Sequence, residues 1–450
     1  MIVAKFGGTS VGDAEAIART AGIVRARLER SPVVVTSALA GTTNRLIEIG
    51  QQAAAGQLIV ALTIVEELRA RHFATIDALG VGDDTELVTD TGVLFDELAH
   101  LAEALSVLGD VTPRSLDAVS SMGERLAAPI VAAALARIGV PAVFVDARRV
   151  MVTTDDFGRA EPRPDEIAMA CRAHVLPLVR DGKVPVLGGY IGATAQGVTT
   201  TLGRGGSDYS ASLFGAAMDA EAIEIWTDVD GMLTADPRVV PAARLIEHIR
   251  FDEAAELASF GAKVLHPSTI APAVRRGIPV YIFNSRRPDG SGTRITFDAP
   301  RRPVRAIAGK GRTVVVKVRS PRMLAAPGTM RAIFEVFERN RTSVDVVATS
   351  EVSVSVTVDD VQHLEAIVAQ LSAFGDVAVE RGRGIVALVG AGLGESTASM
   401  ARALTALGDL RLYMLSLSAT GINLTLIVDG DAVHEAMRRL HAAFFEGEAA

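Results

Sequence analysis

The chain has 450 residues, with 45 Lys plus Arg against 53 Asp plus Glu, a formal net charge of −8, and 49% apolar and 22% charged residues. That length predicts two to four domains with material for more than one core. The acidic balance, without any Lys/Arg run, excludes a nucleic-acid binder held by its net field. The single cysteine, Cys171, excludes a disulfide framework and Cys-rich metal sites and fits a reducing cytoplasm. No apolar run approaches the ~20 residues of a membrane span, and the start, MIVAKFGG, lacks a signal-peptide pattern.

Residues 1–6 read as a short strand, broken by Gly7-Gly8-Thr9-Ser10 and followed by a helix over 13–30. Val33–Thr36 is a β-branched run, expected to be a buried strand. Residues 44–110 are rich in Ala, Leu and Glu with few turn signals except near Gly80–Asp84, which predicts long helices packed as a hairpin; Ser120–Ile138 predicts an apolar helix kinked at Pro129. Strands are expected at Ala142–Val145, Pro185–Leu187, Ala222–Trp226 and Pro279–Phe283, with a helix near Phe251–Phe260. The alternation predicts an open α/β sheet with helices on both faces.

The Pro- and Gly-rich stretch Ser285–Pro303 marks a linker. Beyond it an internal repeat begins. Thr313–Val318, Ser343–Thr349, Glu351–Val358 and Val377–Glu380 read as strands, and Gly328–Arg339 and Val361–Ser372 as helices. The pattern restarts with strands at Gly384–Gly390, Leu410–Ser418 and Ile422–Val428 and helices at Ser396–Leu407 and Asp431–Phe445. The order βαββαβ is the ferredoxin-like unit. The second unit lacks its last strand, which Val304–Ala308 is placed to supply, so that the first unit is inserted within the second.

Five lysines stand against forty arginines, so Lys5 and Lys263, both in glycine-flanked segments, point to a need for a compact ammonium. Around Lys5-Phe6-Gly7-Gly8-Thr9-Ser10-Val11 a strand ends and a helix begins, aiming N–H groups at an anion; a plain tight turn is the alternative. The segment is neither a Walker A loop nor a dinucleotide fingerprint. Val35-Thr36-Ser37-Ala38 leads to Gly41-Thr42-Thr43-Asn44, polar groups at a strand's carboxyl end that suit a substrate or, with Thr43 or Asn44, a helix N-cap. Glu124, in Ser121-Met122-Gly123-Glu124-Arg125, opens an apolar helix and could simply complement its dipole. In Thr199–Asp208 three glycines surround Arg204, which suits a ligand-wrapping backbone with an Arg fork for a carboxylate or phosphate. Ile225–Gly231 ends in an acidic turn and leads to Thr234-Ala235-Asp236-Pro237-Arg238; the alternative is an ordinary Asp/Gly turn. His266, before Pro267 in an apolar setting, reads as structural.

These segments, in this order, resemble the KFGGTSV, S-x-G-E, TLGRGGSD, T-D-V-x-G, D-P-R and FGAKVLHP elements of the aspartokinases, within the amino acid kinase superfamily. The length and tandem repeats resemble the single-chain, lysine-sensitive class with two ACT regulatory units. The resemblance implies a three-layer, mainly parallel α/β catalytic domain over 1–298, a linker and first ACT unit over 299–383, and a second ACT unit over 384–450. It implies ATP-dependent phosphorylation of the L-aspartate β-carboxylate, the first step toward lysine, threonine and methionine. Lys5, Asp208 and the amides of Gly7 and Gly8 would be catalytic. Ser37, Thr43, Glu124, Arg204 and Ser207 would bind the substrate, Glu124 on its α-amino group and Arg204 on its α-carboxylate. Lys5, Gly8, Thr9, Thr227, Asp228, Leu233, Arg238 and Lys263 would hold ATP; Leu233 stands where a Tyr is common, and Tyr190 where Phe is usual. Mg²⁺ would ride on the phosphates, without a site built by the protein. L-Lysine would bind at Met323, Thr329, Met330, Val344, Asp345, Ser350 and Glu351, across a homodimer or dimer of dimers made by the ACT units. Ala326 and Thr329 replace a Ser and a Phe usual in that class. The expected setting is cytoplasmic, with neither nucleic acid nor membrane as partner. Other readings are a related kinase acting on N-acetylglutamate, glutamate or UMP, and a non-catalytic amino-acid sensor.

Overall fold

The computed structural model describes residues 1–260, 267–320, 327–359 and 361–446. The chain divides into two compact units, Met1–Met232 with Val264–Phe297, and Leu233–Lys263 with Asp298–Ala450.

In the first unit the sheet runs, in spatial order, Ala142–Val145, Val184–Gly188, Pro32–Thr36, Ile2–Phe6, Ala222–Thr227, Val280–Asn284 and Thr293–Thr296. All neighbouring pairs are parallel except the last. Pro32–Thr36 and Ile2–Phe6 are fully buried, as continuous apolar runs in parallel sheets require. Helix Ala14–Arg25 starts on Asp13, whose carboxylate accepts the Ala16 N–H (2.8 Å), and packs Ile17 and Val24 into a core shared with Ile130, Val131 and Leu135.

The expected helical hairpin is instead three helices, Thr42–Ala54, Leu58–Ala78 and Thr85–Leu108. Gly56, at φ 78°, turns the chain after the first. Their facing residues Leu46, Ile49, Leu68, Phe95 and Leu98 form a core of their own. The apolar stretch after residue 112 is also divided, into Pro113–Ser120 and Met122–Arg137, with Pro129 inside the second helix. By length and composition this stretch would pass for a membrane span, yet most of it is buried inside the unit. A small sheet joins Val152–Thr153, Ile191–Thr194 and Thr199–Thr201.

The second unit is built on one six-stranded sheet, in the order Val347–Ser350, Ser353–Val358, Ala306–Arg319, Asp376–Val389, Asn423–Asp429, Met414–Leu417. The segments read as separate strands at Val304–Ala308 and Thr313–Val318 are parts of one strand, Ala306–Arg319. Likewise Val377–Glu380 and Gly384–Gly390 fuse into Asp376–Val389. The two long strands pair antiparallel, Ile307 with Leu388 and Val316 with Val379, with register shifts between Lys310 and Val315. The strand after the linker thus completes the second repeat, and the first repeat is inserted within it. The strands expected at Ser343–Thr349 and Leu410–Ser418 shrink to Val347–Ser350 and Met414–Leu417.

Leu233–Lys263, assigned by sequence to the catalytic domain, groups with the second unit. Ala235 and Val240 pack with Leu388, Leu393 and Leu424. Glu253, fully buried on helix Phe251–Ser259, accepts N–H bonds from Ala391 (2.8 Å) and Arg250 (3.1 Å) and pairs with buried Arg305 (3.3 Å). Asn423 donates to Glu256 (2.9 Å).

Candidate active site

The central strand Ile2–Phe6 lies between Pro32–Thr36 and Ala222–Thr227, with Lys5 level with Val35 and Ile225. All three strands run parallel, so their carboxyl ends open on one edge, where such sheets take their ligands. There Gly7 N–H donates to Trp226 O (3.0 Å) and Ser37 N–H to Phe6 O (3.1 Å). Gly8–Ser10 make one 3-10 turn, whose first amides, Gly8 and Thr9, have no acceptor within the turn.

Lys5 is 8% exposed, and its Nζ lies 2.6 Å from Asp208 Oδ1. Asp208 stands in the first turn of helix Gly206–Ala217, so a strand and a helix far apart in sequence hold one ion pair at the sheet edge. Glu124, in the first turn of Met122–Arg137, is 3% exposed. Its Oε1 accepts the Ala38 N–H (3.1 Å), and its Oε2 is buried with no hydrogen-bond partner among the described residues. Burial pushes this carboxyl up to about 8, against the opposing pull of the Ala38 amide and the Lys5 charge. The approach depends on bare backbone: a Cβ on Gly123 would stand 2.7 Å from Ala38 Cβ.

Arg204 is exposed between Gly203 (φ 75°) and Gly205 (φ 73°), and among the described residues no carboxylate pairs with it. The loop it sits on is pinned by Tyr190, a non-glycine residue at φ 65°. Tyr190 N–H donates to Ser210 Oγ (2.9 Å), and Tyr190 O accepts the Leu202 N–H (2.9 Å). Burial pushes the Tyr190 hydroxyl above its usual range. Ser37 and Ser207 are half-buried at the same edge. Thr43 lies inside helix Thr42–Ala54, whose N-cap is Gly41 at φ 79°, so neither Thr43 nor Asn44 caps it.

Thr227 ends strand Ala222–Thr227 and Asp228 follows it; Thr227 Oγ1 donates to Asp228 Oδ1 (3.3 Å). Asn284 Nδ2 donates to Asp230 Oδ1 (2.7 Å) and bridges to Asp228 O (3.4 Å). Leu233 and Arg238 belong to the second unit; Leu233 pairs with Leu245, and Arg238 is held by Asp236 (2.6 Å). Lys263, His266, Met323 and Ala326 lie outside the described residues.

Of the expected effector residues, Val344 packs beneath helix Thr329–Arg339, where Thr329 is the first residue and Met330 is 39% exposed. Asp345 is not a free carboxylate: Lys310 Nζ sits 3.5 Å away and also pairs with Asp359. Ser350 Oγ is 2.7 Å from Ser353 Oγ. Glu351 is exposed in the turn after Val347–Ser350, on the order of 20 Å from Asp345 by strand rise.

Two further residues carry no signal in the sequence. Arg71 donates to Ala40 O (2.8 Å) and Gly12 O (2.7 Å), bracing the loops that follow strands Pro32–Thr36 and Ile2–Phe6. Asp117 is 1% exposed and accepts three hydrogen bonds from Gly158 and Thr201.

A profile of the amino acid kinase family matches residues 1–284. The chain is 36% identical to the lysine-sensitive aspartokinase 3 of Escherichia coli over 99% of both chains. The chain belongs to the aspartokinases. It is also 35% identical to the chloroplastic aspartokinase 3 of Arabidopsis thaliana, over 99% of this chain and 81% of that one. Among solved structures, Escherichia coli aspartokinase III with aspartate and ADP, described as the R-state, matches with a TM-score of 0.85 at 36% identity, over 99% of this chain and 100% of that one. The same enzyme with lysine and aspartate, described as the T-state, matches at 0.82 and 35% identity, over 99% of both. This aspartokinase therefore shares its whole length with a relative known in two states.

Proposed function

We propose that this aspartokinase holds L-aspartate by its charged end and transfers the γ-phosphoryl group of ATP to the β-carboxylate. The observation that carries the reading is Glu124, a buried carboxylate with one oxygen unpartnered, close enough to feel the Lys5 charge. Leaving such a group unmatched is costly, and an α-ammonium supplies the missing donor. Arg204, without a carboxylate of its own, takes the α-carboxylate as a fork. N-Acetylated and amine-free acids have no cation for Glu124.

A β-carboxylate oxygen then bonds to the γ-phosphorus while the bond from phosphorus to the bridging oxygen of ADP breaks, giving β-aspartyl phosphate and ADP. Positioning and charge neutralisation carry most of such a step. Lys5, oriented by Asp208, and the amides of Gly7, Gly8 and Thr9 meet the charge on the transferring oxygens. Thr227, Asp228, Leu233, Arg238 and Lys263 are assigned to the nucleotide. Mg²⁺ would be held mainly by phosphate and water and would neutralise phosphate charge. The reaction is placed in the cytoplasm.

Feedback inhibition by L-lysine is assigned to the first repeat. Because Asp345 and Glu351 flank strand Val347–Ser350 on opposite sides, a single small amino acid does not reach both in one chain, which favours a site shared between two copies joined through their ACT units. ADP release measured with L-aspartate, L-glutamate, N-acetylglutamate and no acceptor tests the assignment. Turnover with aspartate alone supports it, and equal turnover with N-acetylglutamate removes Glu124 from its role.

A further inference from the structure

We propose that Asp117 is a positioning residue that sets the span between the two grips on the aspartate zwitterion, Glu124 and Arg204. The inference rests on the function proposed above. Asp117 lies on helix Pro113–Ser120, and only Ser121 separates that helix from the one that carries Glu124. Its Oδ2 accepts the N–H of Gly158 (2.9 Å) and of Thr201 (3.0 Å), and its Oδ1 accepts the Thr201 hydroxyl (2.7 Å). Thr201 ends strand Thr199–Thr201 and leads through Leu202 and Gly203 into Arg204. Gly158 closes the third side, because a Cβ on Gly203 would stand 3.2 Å from Gly158 O and 3.3 Å from Arg159 Cβ. Ala160 N–H donates to Thr201 O (2.8 Å), joining the same two segments from outside. One carboxylate, on the helix that leads into the Glu124 helix, thus ties to both strips of backbone that define where Arg204 begins.

Stability alone is a poor reason for this residue. Asp117 is 1% exposed, and among the described residues no cation pairs with it. Burial pushes its carboxyl up, and the three hydrogen bonds pull it back. A buried carboxylate without a counter-charge contributes little net stability compared with an apolar filling, but three charge-assisted bonds from two segments fix their relative placement tightly. A shift of about 1 Å in such a support is enough to spoil substrate positioning.

The test is Asp117→Asn in the full-length enzyme, with Thr201→Val as the second variant. Asn keeps an acceptor for the two N–H groups and can donate to a Thr201 hydroxyl turned to accept, so it removes the charge assistance of all three bonds, whereas Val deletes only the hydroxyl contact. Both are expected to raise the KM for L-aspartate, about 10- to 100-fold for Asn and less for Val. The KM for ATP should stay within about twofold and kcat should be largely recovered at saturating aspartate. If Asp117→Asn does not fold, Thr201→Val decides alone. An unchanged aspartate KM in the folded variants, or an equal rise in both KM values, would overturn the inference. Wild-type enzyme without aspartate-dependent turnover would overturn the proposed function, and the inference with it.

Discussion

Glu124→Gln should move stability and activity in opposite directions. The folded carboxyl keeps its proton to about pH 8, against an ordinary value of 4.5. The folded state therefore binds the proton more tightly than the unfolded state does. Its contribution is complete below pH 4.5 and declines as pH rises toward 8. At 1.36 kcal/mol per pH unit the decline is on the order of 5 kcal/mol by pH 8. Gln abolishes that loss but leaves an amide N–H₂ where Oε2 lacks a partner, costing about 1–3 kcal/mol. The variant is then expected to be more stable than wild type at pH 8.5 by about 2–4 kcal/mol, with the advantage gone near pH 4.5. Thermal or urea unfolding at the two pH values reads this directly. Activity should fall: without a negative charge facing the α-ammonium, the aspartate KM rises about 10- to 100-fold. In the wild type, aspartate must meet an ionised Glu124, so kcat/KM for aspartate should climb about tenfold from pH 6 to 7 and flatten above 8. In the Gln variant that limb should vanish. Equal stability of the two proteins at pH 8.5, with an unchanged aspartate KM, would refute the reasoning.

Lys5→Arg should lower kcat by about 10²- to 10³-fold with the fold retained, because a planar guanidinium does not fit the enclosed place of the ammonium against Asp208; rapid-quench turnover and circular dichroism check both halves. Arg204→Ala should raise the aspartate KM far more than the ATP KM in steady-state kinetics; collapse of ATP binding instead would assign the glycine loop to the nucleotide. Lys310→Met should sharpen inhibition by L-lysine, lowering its half-inhibitory concentration about 3- to 10-fold, since the effector no longer displaces an internal ammonium from Asp345. A dose–response curve superimposable on wild type would show that Asp345 and the effector do not meet.

The sheet, the tandem repeat and the glycine-flanked motifs were legible because they are local. β-Branched runs bounded by glycine mark buried strands, and Gly203-Arg204-Gly205-Gly206 has little sense as packing. That Lys5 meets Asp208 was expected only through the family resemblance, since nothing between two residues about 200 positions apart in sequence announces a 2.6 Å pair. Asp117 carries no sequence signal for the same reason: its three donors come from segments 41 and 84 residues away. The fusion of strands into Ala306–Arg319 and Asp376–Val389 was hidden by Gly309, Gly311, Gly382 and Gly384, which read as breaks. The close approach of the C-terminal helix requires two of them: a Cβ on Gly309 would fall 2.3 Å from Met437 Sδ, and one on Gly384 2.2 Å from Val433 Cγ2. The grouping of Leu233–Lys263 with the second unit rests on buried Glu253 and Arg305, polar residues that ordinary patterning assigns to a surface.

Recognition of aspartate by its ammonium and phosphorylation of its side chain can be read in one assay. The most direct measurement traps the product with hydroxylamine, comparing L-aspartate with succinate, which keeps both carboxylates and lacks the amine. A hydroxamate formed from L-aspartate and ATP, with succinate at background, is the predicted result. Equal hydroxamate from succinate, or none from aspartate while ATP is consumed, would contradict the account.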